Sequence, residues 1–472
     1  MKLKRATAIL MAGMMAAGML AGCDGNTGGD SAAKTNETAG TEVSKEDGAA
    51  AKTDTAGTAA SAETETAEAG AQRFDGVTIT VNKDADSTND AINALAELAK
   101  EKLGLTVELE MRVSGADGDN MVKTRLASGD MTDLLWYNSG SKFKALNPAE
   151  YFLDLSDQPF AEKLEQTFKD TVSVDGKLYG APTGASSAGA VMYYKPDYEE
   201  LGLSVPKTWD EFLENCEKLK AAGKTAMIGT FGDAWTAQVT YLGDNYNVLA
   251  ADPEFPQKFE AGTAKYGTTP AGVESFQKLA DLQGYYNADY LAATYNDGCE
   301  MLANGEGTHW IMLTQVLNNI ELSYPEVLDD IGIFGVPGEA ADNAGLTVWL
   351  PGGIYVNKDS KNIDACLAFL DLAVSQEGMD AMFAVSKPVG PASVVGYEMP
   401  EDSYQAVKVD MQSFFDEGKT APALEFQTAV KGANCEQICV EVGSGQVSAQ
   451  EAADAYDEDC KKMALQLGLN WE

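Results

Sequence analysis

Val77-Thr78-Ile79-Thr80-Val81, then Ile92, Leu95, Ala96, Ala99 and Leu103 at helical spacing, then Leu105-Thr106-Val107-Glu108-Leu109-Glu110-Met111: this run decides the fold. The first and last pieces are β-branched or alternate apolar with polar, as strands do. The middle piece puts its apolar residues on one helical face, with Ser87-Thr88-Asn89-Asp90 offering a cap and Gly104 a stop. A second helix is expected around Asn120 to Ser128, stopped by Gly129-Asp130, and Leu134-Leu135-Trp136-Tyr137 makes a third strand. Strands alternating with helices imply an α/β fold whose parallel sheet is wrapped by helices. In such sheets ligands bind beyond the carboxyl ends of the strands. That puts Asn82 to Asn89 and Tyr137 to Gly140 at the edge of a candidate cleft.

Upstream, the composition changes abruptly. Asp24 to Arg73 is a mixture of Ala, Thr, Gly, Glu and Ser in which Val43 is the one large aliphatic residue. Such a stretch buries too little apolar surface to offset its ordering entropy and reads as a disordered tether. A coil of that length spans about 40 Å. Ahead of it, Lys2, Lys4 and Arg5 precede an apolar run, Ala6 to Ala21, that is shorter than the roughly 20 residues of a spanning helix. This is the pattern of a cleaved secretion signal. Its end, Leu20-Ala21-Gly22-Cys23, resembles the lipobox of bacterial lipoproteins, which implies a diacylglycerol on Cys23 and an anchor in the outer face of the cell membrane.

Downstream, Phe74 to Glu472 is too long for one core, so two lobes are expected. Val172 to Tyr179 reads as a hairpin turning at Asp175-Gly176. The small-residue run Ala181 to Gly189 reads as a crossing between lobes, and Ala190 to Tyr194 as a strand. Helices are expected over Trp209 to Leu219 with Thr208 as cap, over Ile363 to Val374, and over Val447 to Leu467 with Ser448 and Glu451 as a capping box. Gly352 to Val356 reads as another strand.

The charge is strongly acidic, 34 basic against 73 acidic residues and a formal net of −39, which opposes nucleic acid and anionic lipid. One histidine, His309, serves the whole chain. That argues against His-based metal sites and against Ser/His or Cys/His catalysis. Besides Cys23, six cysteines are scattered through a domain that needs no staples, and they read as buried free thiols.

Five segments, in order, carry a resemblance. They are Arg125–Leu135 (RLASGDMTDLL), Asp175–Pro182 (DGKLYGAP) followed by Tyr193–Asp197 (YYKPD), Leu201–Phe212 (LGLSVPKTWDEF), Val356–Asn362 (VNKDSKN) leading into Ala368-Phe369-Leu370, and Gly445–Ala453 (GQVSAQEAA). Together they resemble the maltose-binding-like family 1 of extracellular solute-binding proteins of carbohydrate ABC importers. The resemblance implies a two-lobed, periplasmic-binding-protein-like α/β fold with a hinge and an inter-lobe cleft. One lobe would hold 74–187 and 345–386, the other 188–344 and 387–472. It also implies a monomer without catalytic residues or cofactor, whose partners are a carbohydrate ligand and ABC permease subunits.

A sugar offers hydroxyls around a ring and weakly apolar C–H faces, so candidates are acids, amides and aromatics in loops at strand ends. In the first lobe these are Asp84, Asp86 and Ser87 after the first strand, and Trp136, Tyr137 and Asn138 after the third. The loop Gly232 to Thr236 offers Asp233 and Trp235, and the resemblance adds Trp349, near the returning crossover, and Phe426, which follows Ala421-Pro422 in a region where the family can line the cleft. Where the resembled family commonly has a Trp, this chain has Gln315, while Trp310 falls inside a strand and His309 beside it reads as structural. No basic cluster is expected beside these loops, which disfavours an anionic cargo. The alternatives are a peptide, polyamine or sugar phosphate as cargo, a secreted glycosidase, for which no carboxylate pair is singled out, and an adhesin with no closing cleft.

Overall fold

The computed structural model describes residues 73–85, 88–113 and 115–471. The expected signal peptide, Cys23, the tether and the candidates Asp86 and Ser87 lie outside the described residues.

The strands are β1 (Thr78–Asp84), β2 (Thr106–Arg112), β3 (Leu134–Tyr137), β4 (Ser173–Val174), β5 (Lys177–Leu178), β6 (Gly180–Pro182), β7 (Ser187–Tyr194), β8 (His309–Leu313), β9 (Ile331–Phe334), β10 (Leu346–Trp349), β11 (Gly353–Val356) and β12 (Thr420–Pro422). One sheet has the order β2-β1-β3-β11-β6, and a second has β12-β10-β7-β8 with β9 also on β7. The opening run behaves as its pattern requires. β1 pairs parallel with β2 and β3. The intervening helix, Asp90–Leu103, buries Ile92, Leu95 and Ala99. Gly104 (φ 72°) ends that helix in the left-handed conformation, its N–H returned to Ala99 and Lys100 carbonyls.

The expected parallel sheet is corrected by β11. β11 runs antiparallel to both β3 and β6, because it re-enters the first lobe from the second. The lobe limits shift for the same reason. Leu346–Trp349, assigned by the sequence to the first lobe, pairs with β7 and β12 in the second sheet. The second helix starts earlier than its spacing suggests, at Gly115, and runs to Ser128. β4 and β5 form the expected hairpin, with Asp175 (φ 52°) and Gly176 (φ 76°) both in the left-handed region that a two-residue turn demands.

Among the described residues the chain crosses between the two sheets three times. Thr183–Ser186 joins β6 to β7, and Leu350–Gly352 joins β10 to β11. The third passage follows helix Gln376–Val385, which packs on helix Asp90–Leu103, and leads to a helical turn at Ala406–Met411 packed on β9. Asp410 there accepts the Ile333 N–H (3.0 Å). First and third crossings are laced together: Ser186 N–H donates to the Pro391 carbonyl (2.9 Å), and the Ser186 and Ser393 hydroxyls meet at 3.3 Å. All six described cysteines are free and buried.

His309, on β8, is fully buried. Its Nδ1 donates to the Ala226 carbonyl (2.8 Å), which can only accept, so Nε2 is the acceptor for the Tyr198 hydroxyl (2.8 Å). Burial pulls its pKa from 6.5 down to about 3, against a rise from the Ala226 hydrogen bond. The unfolded chain therefore binds a proton below pH 6.5 that the folded chain refuses. Stability from this group is complete above pH 6.5 and drains away toward pH 3. Asp457 acts oppositely: burial raises its pKa from 3.8 to about 6. Comparison with His309→Leu cancels that common contribution. The gap in unfolding free energy between wild type and variant should narrow by up to about 1.4 kcal/mol per pH unit from pH 6 to 4, in urea titrations. A constant gap would show that His309 charges in place.

Candidate ligand-binding cleft

β1, β2 and β3 end together, and their last residues open onto a 380 Å³ cavity. Asp84 closes β1 and Arg112 closes β2, and the two are register neighbours. Trp136 and Tyr137 close β3, followed by the exposed Asn138. The start of helix Gly115–Ser128 contributes Asp119, and the next helical turn contributes Lys142. Two crossings complete the wall through Thr183 and Gly352. Gly352 is required there, since a Cβ would stand 2.6 Å from the Tyr137 carbonyl oxygen.

The wall is held by a dense polar network. Asp119 accepts the Tyr137 hydroxyl (2.6 Å) and faces the Lys142 ammonium (3.4 Å). Arg112 donates through Nη1 to the Asn82 side-chain oxygen (3.0 Å), the Asn82 carbonyl (3.3 Å) and the Trp136 carbonyl (3.1 Å). Its guanidinium lies 5.2 Å from the Tyr137 ring centre. Lys83, 2% exposed, sits behind with its ammonium 3.9 Å from Asp84. Desolvation lowers the Lys83 pKa, although the neighbouring Asp84 raises it.

Four sequence candidates therefore converge here: Asp84, Trp136, Tyr137 and Asn138. Tyr137 does not present a free ring. It is 4% exposed, one face is taken by Arg112 and its hydroxyl by Asp119. No basic cluster is expected beside these loops, yet the fold brings Arg112 and Lys142 to the same cavity from β2 and from the turn after β3.

The second-lobe candidates do not line this cavity. Asp233 and Trp235 flank helix Tyr295–Ala303: the Asp233 carboxylate accepts the Tyr295 N–H (2.7 Å), and the Trp235 and Tyr295 rings lie 5.3 Å apart. The Tyr295 hydroxyl reaches the Asn319 side chain (3.0 Å) on helix Val316–Ser323, whose capping position is the exposed Gln315. Trp310 is buried in β8, as expected.

Trp349 and Phe426 meet through a residue the sequence reading missed. The Trp349 indole N–H donates to the Glu425 carboxylate (2.7 Å), which also pairs with Lys431 (2.8 Å). The Glu425 carbonyl accepts the Ser141 hydroxyl from the first lobe (2.7 Å). Phe426 lays its backbone against Gly140, and the Thr167 and Thr420 hydroxyls meet at 3.1 Å. One turn thus touches the other lobe and also fixes an indole. Arg112 could have been found from the alternation of its strand continued by one residue. Asp119, Lys142 and Glu425 carry no spacing signal.

A family model described as bacterial extracellular solute-binding protein matches residues 85–380. The chain belongs to the bacterial extracellular solute-binding proteins. Among its relatives, the multiple sugar-binding protein of Streptococcus mutans is 26% identical over 350 residues, 71% of this chain and 80% of that one. The melibiose/raffinose/stachyose-binding protein MelE of Bacillus subtilis is 22% identical over 353 residues, 72% and 80% of the two chains. The apo form of RafE from Streptococcus pneumoniae has the same fold, with a TM-score of 0.68 at 18% identity over 84% of this chain and 99% of that one. This solute-binding protein accordingly has the two-lobed architecture of its relatives, with the strand-end cavity beside the crossings.

Proposed function

We propose that this protein captures an oligosaccharide outside the cell and delivers it, chemically unchanged, to the permease subunits of an ABC importer. A diacylglycerol on Cys23 would hold it at the membrane. The observation that carries this reading is the cavity at the ends of β1 to β3, where carboxylate, guanidinium, amide, hydroxyl and ammonium groups stand around the half-buried Trp136. Such a mixture suits a ring of hydroxyls with one apolar face. The printed names of two relatives, a multiple sugar-binding protein and a melibiose/raffinose/stachyose-binding protein, support it.

Asp84, Trp136 and Asn138 would contact ligand from the first lobe, with Tyr137 positioning Asp119 and Arg112. Asp233, Trp235 and Gln315 would form the opposing wall, and Trp349 and Phe426 the hinge side. Asp86 and Ser87 belong to the same loop as Asp84. A ligand touching both walls favours the state in which they are close, so binding shifts the hinge equilibrium.

Ligand at one hundred times its Kd stabilises by about 2.7 kcal/mol, which should raise the melting temperature by a few degrees for one class in an oligosaccharide panel. The recovered glycan should be of unchanged length on chromatography. No shift across a broad panel, or shortened products, would refute capture and delivery.

A further inference from the structure

Arg112 is 5% exposed and yet borders the cavity. A buried cation is normally matched by a carboxylate. Among the described residues, the three hydrogen bonds of Arg112 go to neutral oxygens, and no carboxylate stands at ion-pair distance from it. The acids of the same wall are differently placed: Asp119 faces Lys142 and takes the Tyr137 hydroxyl, and Asp84 has Lys83. Burial accordingly holds the Arg112 pKa below its ordinary value, more than Asp84, Tyr137 and Asp119 raise it.

All three bonds also use one nitrogen, Nη1. They fix the plane of the guanidinium and leave Nε and Nη2, one edge of its fork, without a hydrogen bond among the described residues. Arg112 lines the cavity, and neither atom is among the fully buried polar atoms lacking a partner, so that edge keeps solvent contact. Two parallel N–H groups in a fixed plane match the two oxygens of a carboxylate. The chain as a whole is acidic, with a net charge of −39, so positive charge lining this wall is a local feature rather than a general one.

We propose that the captured saccharide is acidic and that Arg112 receives the carboxylate of a uronic acid residue through Nε and Nη2. This rests on the reading of the cavity as a carbohydrate site. The lysine at position 142 adds positive potential at the rim but, already facing Asp119, does not supply the planar contact.

Calorimetry on the purified full chain with size-matched pairs tests it: trigalacturonate against neutral galactotriose, and glucuronate-substituted against unsubstituted xylo-oligosaccharide. At least one acidic member should bind about tenfold or more tighter than its neutral counterpart. Arg112→Lys, which keeps the charge and loses the fork, should erase most of that preference. Its folding is checked by thermal melting, and the wild-type comparison stands without it. Neutral saccharides binding as tightly as acidic ones would overturn the inference and leave sugar capture standing. So would an undiminished preference in Arg112→Lys, or sulfated saccharides binding as well as uronates. Binding of no saccharide at all would instead sink the reading of the site as a carbohydrate site, and the inference with it.

Discussion

Gly140→Ala is expected to weaken ligand binding by about tenfold or more while leaving each lobe folded. Gly140 has φ 71° and ψ −142°, a region that is close to glycine-only. Forcing another residue into it costs about 1–3 kcal/mol. A Cβ there would also stand 2.6 Å from both the Cα and the carbonyl oxygen of Phe426. Backbone cannot yield as a side-chain tip can, so the two turns must separate. That breaks the Ser141–Glu425 hydrogen bond and disturbs the residue that orients the Trp349 indole. About 1.4 kcal/mol of lost closure corresponds to a tenfold weaker Kd. Titration of wild type and variant with the same oligosaccharide measures it. Gly284→Ala is the control, since a Cβ there meets only the Lys220 ammonium at 3.6 Å. Unchanged affinity in Gly140→Ala would mean that the contact between these turns has no part in the ligand-competent state.

Lys278→Ala should be the more damaging change for stability, by about 3–5 kcal/mol. Lys278 and Asp244 pair in the second lobe with each side chain 1% exposed. Asp244 also accepts from the Ser275 hydroxyl (2.6 Å) and the Asn247 amide (2.7 Å). Lys278 donates to the Pro337 carbonyl (2.8 Å) and lies 5.3 Å from the Trp209 ring. Removing the ammonium strands a buried carboxylate, whereas changing both partners removes both charges. The double variant Asp244→Asn with Lys278→Met should therefore be less destabilised than the single one. Urea denaturation followed by tryptophan fluorescence compares them. A loss below about 1 kcal/mol in Lys278→Ala would mean that water replaces the ammonium at little cost.

Much of the architecture was legible because it rests on local chemistry. The alternation of β1 and β2, the apolar face of Asp90–Leu103 and the turn residues Asp175 and Gly176 each act within a few positions. So do the caps at Thr208 and at Ser448 with Glu451, whose hydrogen bonds form as expected. The site was legible in part. Candidates at the ends of β1 and β3 were found because strand ends in an α/β sheet face the cleft whatever the rest of the chain does.

What periodicity could not supply was pairing between distant segments. That Leu346–Trp349 joins the second sheet while Gly353–Val356 joins the first depends on partners more than a hundred residues away. Arg112 is an ordinary strand-end residue until Asn82 and Trp136, from two other strands, fix its plane. Glu425 gains its role only where a turn of one lobe meets Ser141 of the other. Strand, helix and turn were thus determined by the order of residues along the chain, since each depends on neighbours in sequence. Which lobe the returning strand enters, which ring is covered and which cations line the cavity were decided by the tertiary structure. Hydrogen-bond reach and burial are properties of neighbours in space.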